Sequence, residues 1–282
     1  MFFRLSFAVL LFASASVTGQ VKRDSSCFLI NGQYVADYGR ATLTTALQPI
    51  HFGAKQWIAF GLVSGAGIFA YHYDQDLNDI VRRNLSKDQS EAFKITGNPF
   101  GNGLVIVPLL GGLYLHGYST ENPRSREAAL HGMQAFVLGA GAAWALKHIT
   151  KRPRPHQTEF PDANVWYGPS GYGGYDAFPS GHSLRSFAVA TVLAGVYDDK
   201  PWVGILAFSL AGYSSISRLA SGEHWLSDVF AGAALGYFVG RGVLMFNRSR
   251  YAGCVEPQLG ENGIGLRIGL GGNNKRLTST GK

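Results

Sequence analysis

The sequence predicts an all-α protein, and three observations lead to that prediction. Seven apolar segments are interpreted as helices. Charged residues make up 15% of the 282 residues, against roughly 25% in an average globular protein, so most helix faces are buried in protein or in lipid. A tight link, Asp198-Asp199-Lys200-Pro201, joins two of these segments and favours their antiparallel packing.

The first segment, 1–19, has the pattern of a signal peptide. Arg4 supplies the positive charge, 5–13 is a short apolar stretch, and Ala13-Ser14-Ala15 offers a cleavage site with small residues. An uncleaved anchor is the alternative, although the apolar stretch is short for a membrane span. Both interpretations direct the protein to the cell envelope.

Residues 20–56 are polar and rich in turn formers, and they are predicted to be an irregular N-terminal extension. The main bundle is predicted over 57–247, and residues 248–282 form a C-terminal tail. In the tail, apolar residues alternate with Gly and Arg over 264–270, which predicts a short strand. The predicted helices cover 56–71, 76–85, 104–118, 126–149, 183–197, 202–217 and 226–245.

The chain has two cysteines, Cys27 and Cys254. An oxidising compartment permits one disulfide that joins the two ends of the chain, and two free thiols are the alternative. Membrane spanning is also open, because most apolar segments have 15 to 18 residues whereas a span needs about 20. A bundle that spans the membrane and an exported bundle lying against it both remain, and we favour the second.

Three separated clusters carry the chemistry. The first is Lys147 followed by Arg154-Pro155, and Arg152 lies outside this register because Ala145 stands seven residues before it. Lysine and arginine suit phosphate, since arginine makes bidentate contacts and lysine acts as a mobile charge. A transferred phosphoryl group carries charge on three oxygens, and such cations can stabilise it without a metal.

The second cluster is Pro179-Ser180-Gly181-His182, a turn that opens the helix predicted at 183–197. Gly181 allows close approach of an anion to the free N–H groups of the helix start, and Ser180 adds a hydroxyl donor. His182 is a candidate general acid. In the third cluster, Ser217-Arg218 precedes His224 and Asp228, which lie four residues apart on one helix face. The carboxylate can orient one ring nitrogen and leave the other free to attack.

Together, the pattern Lys-x6-Arg-Pro, Pro-Ser-Gly-His and Ser-Arg-x5-His-x3-Asp resembles the type 2 phosphatidic acid phosphatase / vanadium-dependent haloperoxidase superfamily. The resemblance covers roughly 102–242. It implies a helical bundle with the site at one end, with His224 as the nucleophile that forms a phosphohistidine, Asp228 as its orienting partner and His182 as the acid. The phosphate ligands that it implies are Lys147, Arg154, Ser180, Gly181 and Arg218.

The expected function is metal-independent hydrolysis of phosphate mono- or pyrophosphate esters, with no cofactor, in the bacterial cell envelope with a periplasmic-facing site. Lipid phosphates are the favoured substrates, small phosphoesters are the alternative, and the partner is a membrane surface or bilayer. The net charge of +7 suits anionic substrates and membranes but is too diffuse to indicate nucleic acid. A vanadium-dependent haloperoxidase and a non-catalytic phosphate- or lipid-binding module are the other two hypotheses.

Overall fold

A computed structural model describes residues 21–24, 27–171 and 173–257, and helices dominate it. The α-helices of these residues are α1 (Gly32–Leu47), α2 (Ala54–His72), α3 (Asp74–Asn84), α4 (Lys87–Gly97), α5 (Pro99–Asn102), α6 (Ile106–Ser119), α7 (Pro123–Thr150), α8 (Gly181–Val196), α9 (Pro201–Ala220) and α10 (Leu226–Arg250). Two short strands, β1 (Val21–Arg23) and β2 (Val255–Pro257), pair antiparallel. The all-α prediction is confirmed, with all seven predicted helices present as α2, α3 and α6–α10.

The irregular N-terminal extension predicted over 20–56 is wrong for much of its length, because α1 and a short 3₁₀ helix (Gln48–His51) occupy it. Asn31 caps α1 by accepting a hydrogen bond from the backbone N–H of Tyr34 at 2.9 Å. The buried face of α1 mixes apolar with polar side chains, including Asp37 and Thr45. Its apolar periodicity is therefore weak, which hid the helix. The predicted signal peptide and the strand at 264–270 lie outside the described residues.

Helix α8 lies at the centre of the bundle, against α7, α9 and α10. Buried apolar side chains from α6, α7, α8 and α10 form the main core: Ile106, Leu110, Ala128, Ala135, Ala188, Val189, Val192, Leu193, Val196, Val239, Val243 and Leu244. Helix α10 approaches α8 closely at two glycines. A Cβ atom at Gly232 would lie 2.5 Å from the carbonyl oxygen of Ser180, the N-cap of α8, and one at Gly236 would lie 2.3 Å from the carbonyl oxygen of Leu184. This close packing fixes the start of α8 relative to the start of α10.

The antiparallel order of the helices brings the three clusters to one end of the bundle. Lys147 lies in the last turn of α7 and Arg218 in the last turn of α9, whereas His182 and Asp228 lie in the first turns of α8 and α10. At the opposite end, called here the distal end, Arg124 in the first turn of α7 donates to the carbonyl of Val196 at 2.9 Å.

A disulfide between Cys27 and Cys254 closes the distal end, with 6.1 Å between the two Cα atoms. A small apolar cluster of Phe28, Tyr34 and Leu130 packs beside it. The sequence left a disulfide and two free thiols open, and the structure has the disulfide. Both ends of the described chain therefore meet at the end of the bundle opposite the three clusters.

Large apolar side chains cover much of the outer surface. On α2, Trp57, Leu62 and Phe69 are 51, 72 and 66% exposed. Trp202, Ile205 and Leu206 at the start of α9 are also exposed. Among the described residues, helices α7, α9 and α10 are long and apolar enough to cross a membrane, by length and composition.

Candidate active site

His224 and Asp228 face each other across the first turn of α10. His224 Nδ1 lies 3.6 Å from Asp228 Oδ2, and both side chains are buried. The separation is longer than a hydrogen bond, so Nδ1 has no hydrogen-bond partner among the described residues. Catalytic hydrogen bonds of ligand-free sites are often long and tighten when substrate binds. The pair is thus aligned, with the bond still to be formed.

The environment of His224 keeps its ring neutral. Burial lowers the pKa of His224 well below its ordinary value of 6.5, and the positive charges of Lys147 and Arg154 lower it further. A neutral imidazole has a free lone pair on one nitrogen. Because Nδ1 faces Asp228, the nitrogen available for attack on phosphorus is Nε2.

Arg152 holds the Asp228 carboxylate from behind. Its Nη1 donates to Asp228 Oδ1 at 2.6 Å, and its Nη2 donates to Asp74 Oδ2 at 2.6 Å. The backbone N–H of Trp225 donates to the other Asp228 oxygen at 2.8 Å. All three charged side chains are fully buried. Asp228 is therefore fixed by a cation and a backbone amide before any substrate binds.

His182 is oriented by a residue outside the three clusters. Its Nε2 lies 2.7 Å from Asn98 Oδ1, at the junction of α4 and α5. The amide oxygen can only accept, so this contact requires a proton on Nε2. Helix α5 reaches this position because Gly101 has no side chain, since a Cβ there would lie 2.6 Å from His182. Asn98 thus fixes the tautomer of His182. Burial, followed by the charges of Arg218 and Arg185, lowers the pKa of the ring to about 2, so His182 is neutral before substrate binds.

The turn before α8 is tied directly to α10. The backbone N–H of Ser180 donates to the carbonyl of Asp228 at 2.9 Å. Ser180 is the N-cap of α8, and its hydroxyl accepts weakly from Ser183 N at 3.5 Å. Gly181 is the first helical residue, so its N–H is among those that have no partner within the helix. These contacts place the free N–H groups of α8 beside His224 and Asp228.

Lys147 and Arg154 are brought together by Asp176, in the loop before α8. Asp176 accepts from Lys147 Nζ at 3.2 Å and from Arg154 Nε and Nη2 at 2.7 and 2.8 Å. Arg154 also donates to Glu223, which pairs with Lys94 at 3.3 Å. The two carboxylates occupy donors that the sequence assigned to phosphate. The stretch 161–177 contacts the site through Asp176.

The pKa values of both carboxyls fall below their ordinary range. For Asp176, burial opposes ionisation, but hydrogen bonds from Arg154 and the charges of Lys147 and Arg154 outweigh it. For Glu223, burial is likewise outweighed by the charges of Arg154 and His156 and by Lys94. Both groups are therefore anions at neutral pH, and an incoming phosphate has to displace them from the cations.

Arg218 completes the set from the last turn of α9. Its Nε and Nη2 donate to Ser217 Oγ at 3.2 Å and to the carbonyl of Lys94 at 3.1 Å, and its Nη1 lies 3.5 Å from Asn98 Oδ1. These partners are neutral. Its charge is therefore not paired with a carboxylate in the described part of the chain.

Five residues of this arrangement were not selected from the sequence: Asp74, Asn98, Arg152, Asp176 and Glu223. Arg152 had a visible signal, since it begins the first of two Arg-Pro pairs, but the lysine spacing excluded it. Asp74 is the first residue of α3, and Asn98 lies between α4 and α5. Both are far from the three clusters in sequence. Only the fold brings them to the site.

The fold and the site define an all-α bundle with basic side chains, two histidines and a carboxylate gathered at one end. Residues 130–251 match the sequence profile of the PAP2 superfamily. The resemblance drawn from the three clusters is thereby confirmed.

Two curated relatives and one solved structure are similar to the chain. Over 139 residues it is 39% identical to lipid A 1-phosphatase of Porphyromonas gingivalis, covering 48% of this chain and 28% of that protein. Over 96 residues it is 36% identical to lipid A 4'-phosphatase of Bacteroides thetaiotaomicron, covering 34 and 42%. A transmembrane PAP2-type phosphatidylglycerolphosphate phosphatase from Bacillus subtilis has a TM-score of 0.47 at 18% identity, covering 77% of this chain and 95% of that one. The chain thus spans under half the length of these two curated relatives.

Proposed function

We propose that this protein is a phosphatase that hydrolyses phosphate mono- or pyrophosphate esters, with lipid phosphates as the favoured substrates. The observation that carries the proposal is the convergence of Lys147, Arg154 and Arg218 on the start of α8, beside the His224–Asp228 pair. The two lipid A phosphatases among its relatives support a lipid substrate. The apolar outer surface suits contact with a membrane, and a lipid substrate enters the site from that membrane.

In the proposed mechanism, the phosphate displaces Asp176 and Glu223 and binds Lys147, Arg154 and Arg218. Ser180 and the Gly181 amide complete the cradle. The anionic substrate offsets the cations beside His182, and the ring takes up a proton from solvent. His224 Nε2 attacks phosphorus, the bond from phosphorus to the ester oxygen breaks, and the proton from His182 neutralises the leaving oxygen. Asp228 supports the positive charge that develops on His224.

Water then attacks the phosphohistidine, the phosphorus–nitrogen bond breaks, and His182 accepts the proton from water. The products are the free alcohol, or a monophosphate from a pyrophosphate ester, and inorganic phosphate. The charge of the transition state is met by lysine and arginine, so we propose that turnover needs no metal ion.

Purified protein tested against a panel of lipid and soluble phosphate esters examines this proposal. We expect phosphate release that survives excess chelator and is inhibited by orthovanadate, which mimics the trigonal-bipyramidal transition state. Trapping with radiolabelled substrate and a denaturing alkaline quench should give a base-stable, acid-labile phosphoprotein, absent from His224→Ala. Loss of activity with chelator contradicts the mechanism, and halide-dependent bromination of a dye identifies a haloperoxidase instead.

We further propose that the protein is exported to the bacterial cell envelope, with its site facing the periplasm. The disulfide and the site lie at opposite ends of the bundle. If the bundle crossed the inner membrane with a periplasmic site, Cys27 and Cys254 would lie in the reducing cytoplasm. An exported bundle that lies in or against a membrane avoids this conflict, because both of its ends meet an oxidising compartment.

Two cysteine experiments test the location. In cells, non-reducing electrophoresis should show Cys27 and Cys254 oxidised. In a Cys27→Ser/Cys254→Ser background, Gln157→Cys places a thiol on the exposed loop at the site end. We expect an impermeant thiol reagent to label it without breach of the inner membrane. Reduced native cysteines that stay shielded, together with labelling of Gln157→Cys, place the distal end in the cytoplasm and overturn the proposal.

A further inference from the structure

Arg185 lies one turn after Gly181 on α8 and belongs to none of the three clusters. Its Nε donates to the carbonyl of Gly181 at 3.0 Å, which turns the guanidinium back toward the start of the helix. A Cβ atom placed on Gly181 would lie 3.8 Å from Lys147 Cε and 4.0 Å from Arg185 Nη2. The end of Arg185 therefore borders the same space in front of Gly181 as Lys147.

The charge of Arg185 has no carboxylate partner among the described residues. Its contacts there are the Gly181 carbonyl and the ring of Phe136, with 5.6 Å between the guanidinium carbon and the ring centroid. The side chain is half-buried. Withdrawing a charge partly from water without a counterion costs free energy. By contrast, Lys147 and Arg154 both form ion pairs with Asp176.

The donors of the proposed cradle already match a single phosphate. Lys147, Arg154 and Arg218 bring three cations, and the start of α8 adds a backbone N–H and the Ser180 hydroxyl. A phosphoryl group in transfer presents three equatorial oxygens, which these donors can satisfy. Arg185 is then a cation in excess of what the scissile group needs.

We propose that Arg185 binds a second phosphate group, carried by the substrate next to the scissile one. This inference rests on the proposed phosphatase function and makes Arg185 a residue that selects for diphosphate over monophosphate esters. The planar guanidinium suits bidentate contact with a phosphate, and its place beside Lys147 puts it within reach of a group bridged to the scissile phosphorus.

Two substrates with one alkyl chain test the selection, farnesyl monophosphate and farnesyl diphosphate. Arg185→Gln should raise KM for the diphosphate about tenfold, the effect of losing a hydrogen bond to a charged group, and change KM for the monophosphate less than about twofold. Arg185→Lys should restore part of the difference. Arg241→Gln, an exposed arginine on α10, is the matched control and should leave both substrates unchanged.

A binding measurement separates this inference from the proposed reaction. Titration calorimetry with methylenediphosphonate and methylphosphonate requires no turnover, so it reports on Arg185 even if neither ester is hydrolysed. Selective loss of diphosphonate affinity in Arg185→Gln supports the inference. Equal loss for both ligands assigns Arg185 to the scissile phosphate, and unchanged binding of both removes it from the site; either result overturns the inference. Absence of turnover by the wild-type protein contradicts the phosphatase proposal alone.

Discussion

Arg152 and Arg154 are separated by one proline, yet we expect their substitutions to differ. Loss of Arg152 should lower stability strongly, whereas loss of Arg154 should lower stability little and activity strongly. Arg152 donates to Asp228, Asp74, Ser227 and the Ala163 carbonyl with no exposure to solvent. Arg152→Met leaves two buried carboxylates without their cation. Breaking a buried ion pair costs about 3–5 kcal/mol, and a domain of this size loses about 2–4 °C in Tm per kcal/mol, so Tm should fall by about 10 °C.

Arg154 contacts carboxylates that are partly exposed, and its own side chain is 22% exposed. Pairs of that kind contribute about 1 kcal/mol or less, so Arg154→Met should lower Tm by only about 3 °C. It removes a donor to the transferring phosphoryl group, which should lower kcat about 100-fold. Thermal unfolding by circular dichroism, measured beside phosphate release, separates the two variants.

A controlled comparison uses Asp74→Asn, which removes one of the two carboxylates and should lower Tm less than Arg152→Met does. A Tm of Arg152→Met within about 2 °C of the wild-type value would be too small a change for a broken buried ion pair. That result would refute the stabilising role assigned to the Asp74–Arg152–Asp228 network.

Three further predictions concern the reacting groups and the loop that covers them. His224→Ala should abolish phosphate release because the attacking nitrogen is gone, while Asp228→Asn should retain activity lower by about 10³–10⁴-fold, measured as kcat. His182→Gln and Asn98→Leu should both lose more activity on alkyl than on aryl phosphates, since aryl oxygens leave without a proton; equal losses exclude the acid role. The folded-state pKa of Asp176 is lowered, so its contribution to stability is complete above pH about 4 and is lost as the pH falls further. The Tm difference between wild type and Asp176→Asn should shrink on that acid side, and a constant difference contradicts the assignment.

The sequence predicted those parts of the fold whose signal is local. Helices α7 to α10 are rich in apolar residues, and their segments are continuous in sequence. Helix α1 was not predicted because Asp37 and Thr45 interrupt its buried face. A polar side chain on a helix can be recognised as buried only when its partners are known. Asp37 has them in Arg40, Arg250 and Tyr251, two of which lie over two hundred residues away.

The site divides in the same way. Residues that stand in fixed spacing, such as His224 and Asp228 on one helix face, were selected from sequence, and the structure brings them together. Asn98 reaches His182 only through the packing of α5 against α8, which depends on the missing side chain of Gly101. Arg152 shows a different limit, since its tract was noticed but nothing local distinguishes an arginine directed into the core from one directed at substrate.

The disulfide turns the described chain into a covalent ring. Every candidate site residue lies between Cys27 and Cys254, which are 227 positions apart. A single cut by a protease in any exposed loop of this ring opens it but releases no fragment, so the nicked protein keeps its full mass until it is reduced. The ring can also be opened by design. The adjoining ends of the described chain at the distal end can be fused, and new termini can be placed in the loop after Arg154. This circular permutation would free the segment carrying Asp176 at one end and leave the helices in their order.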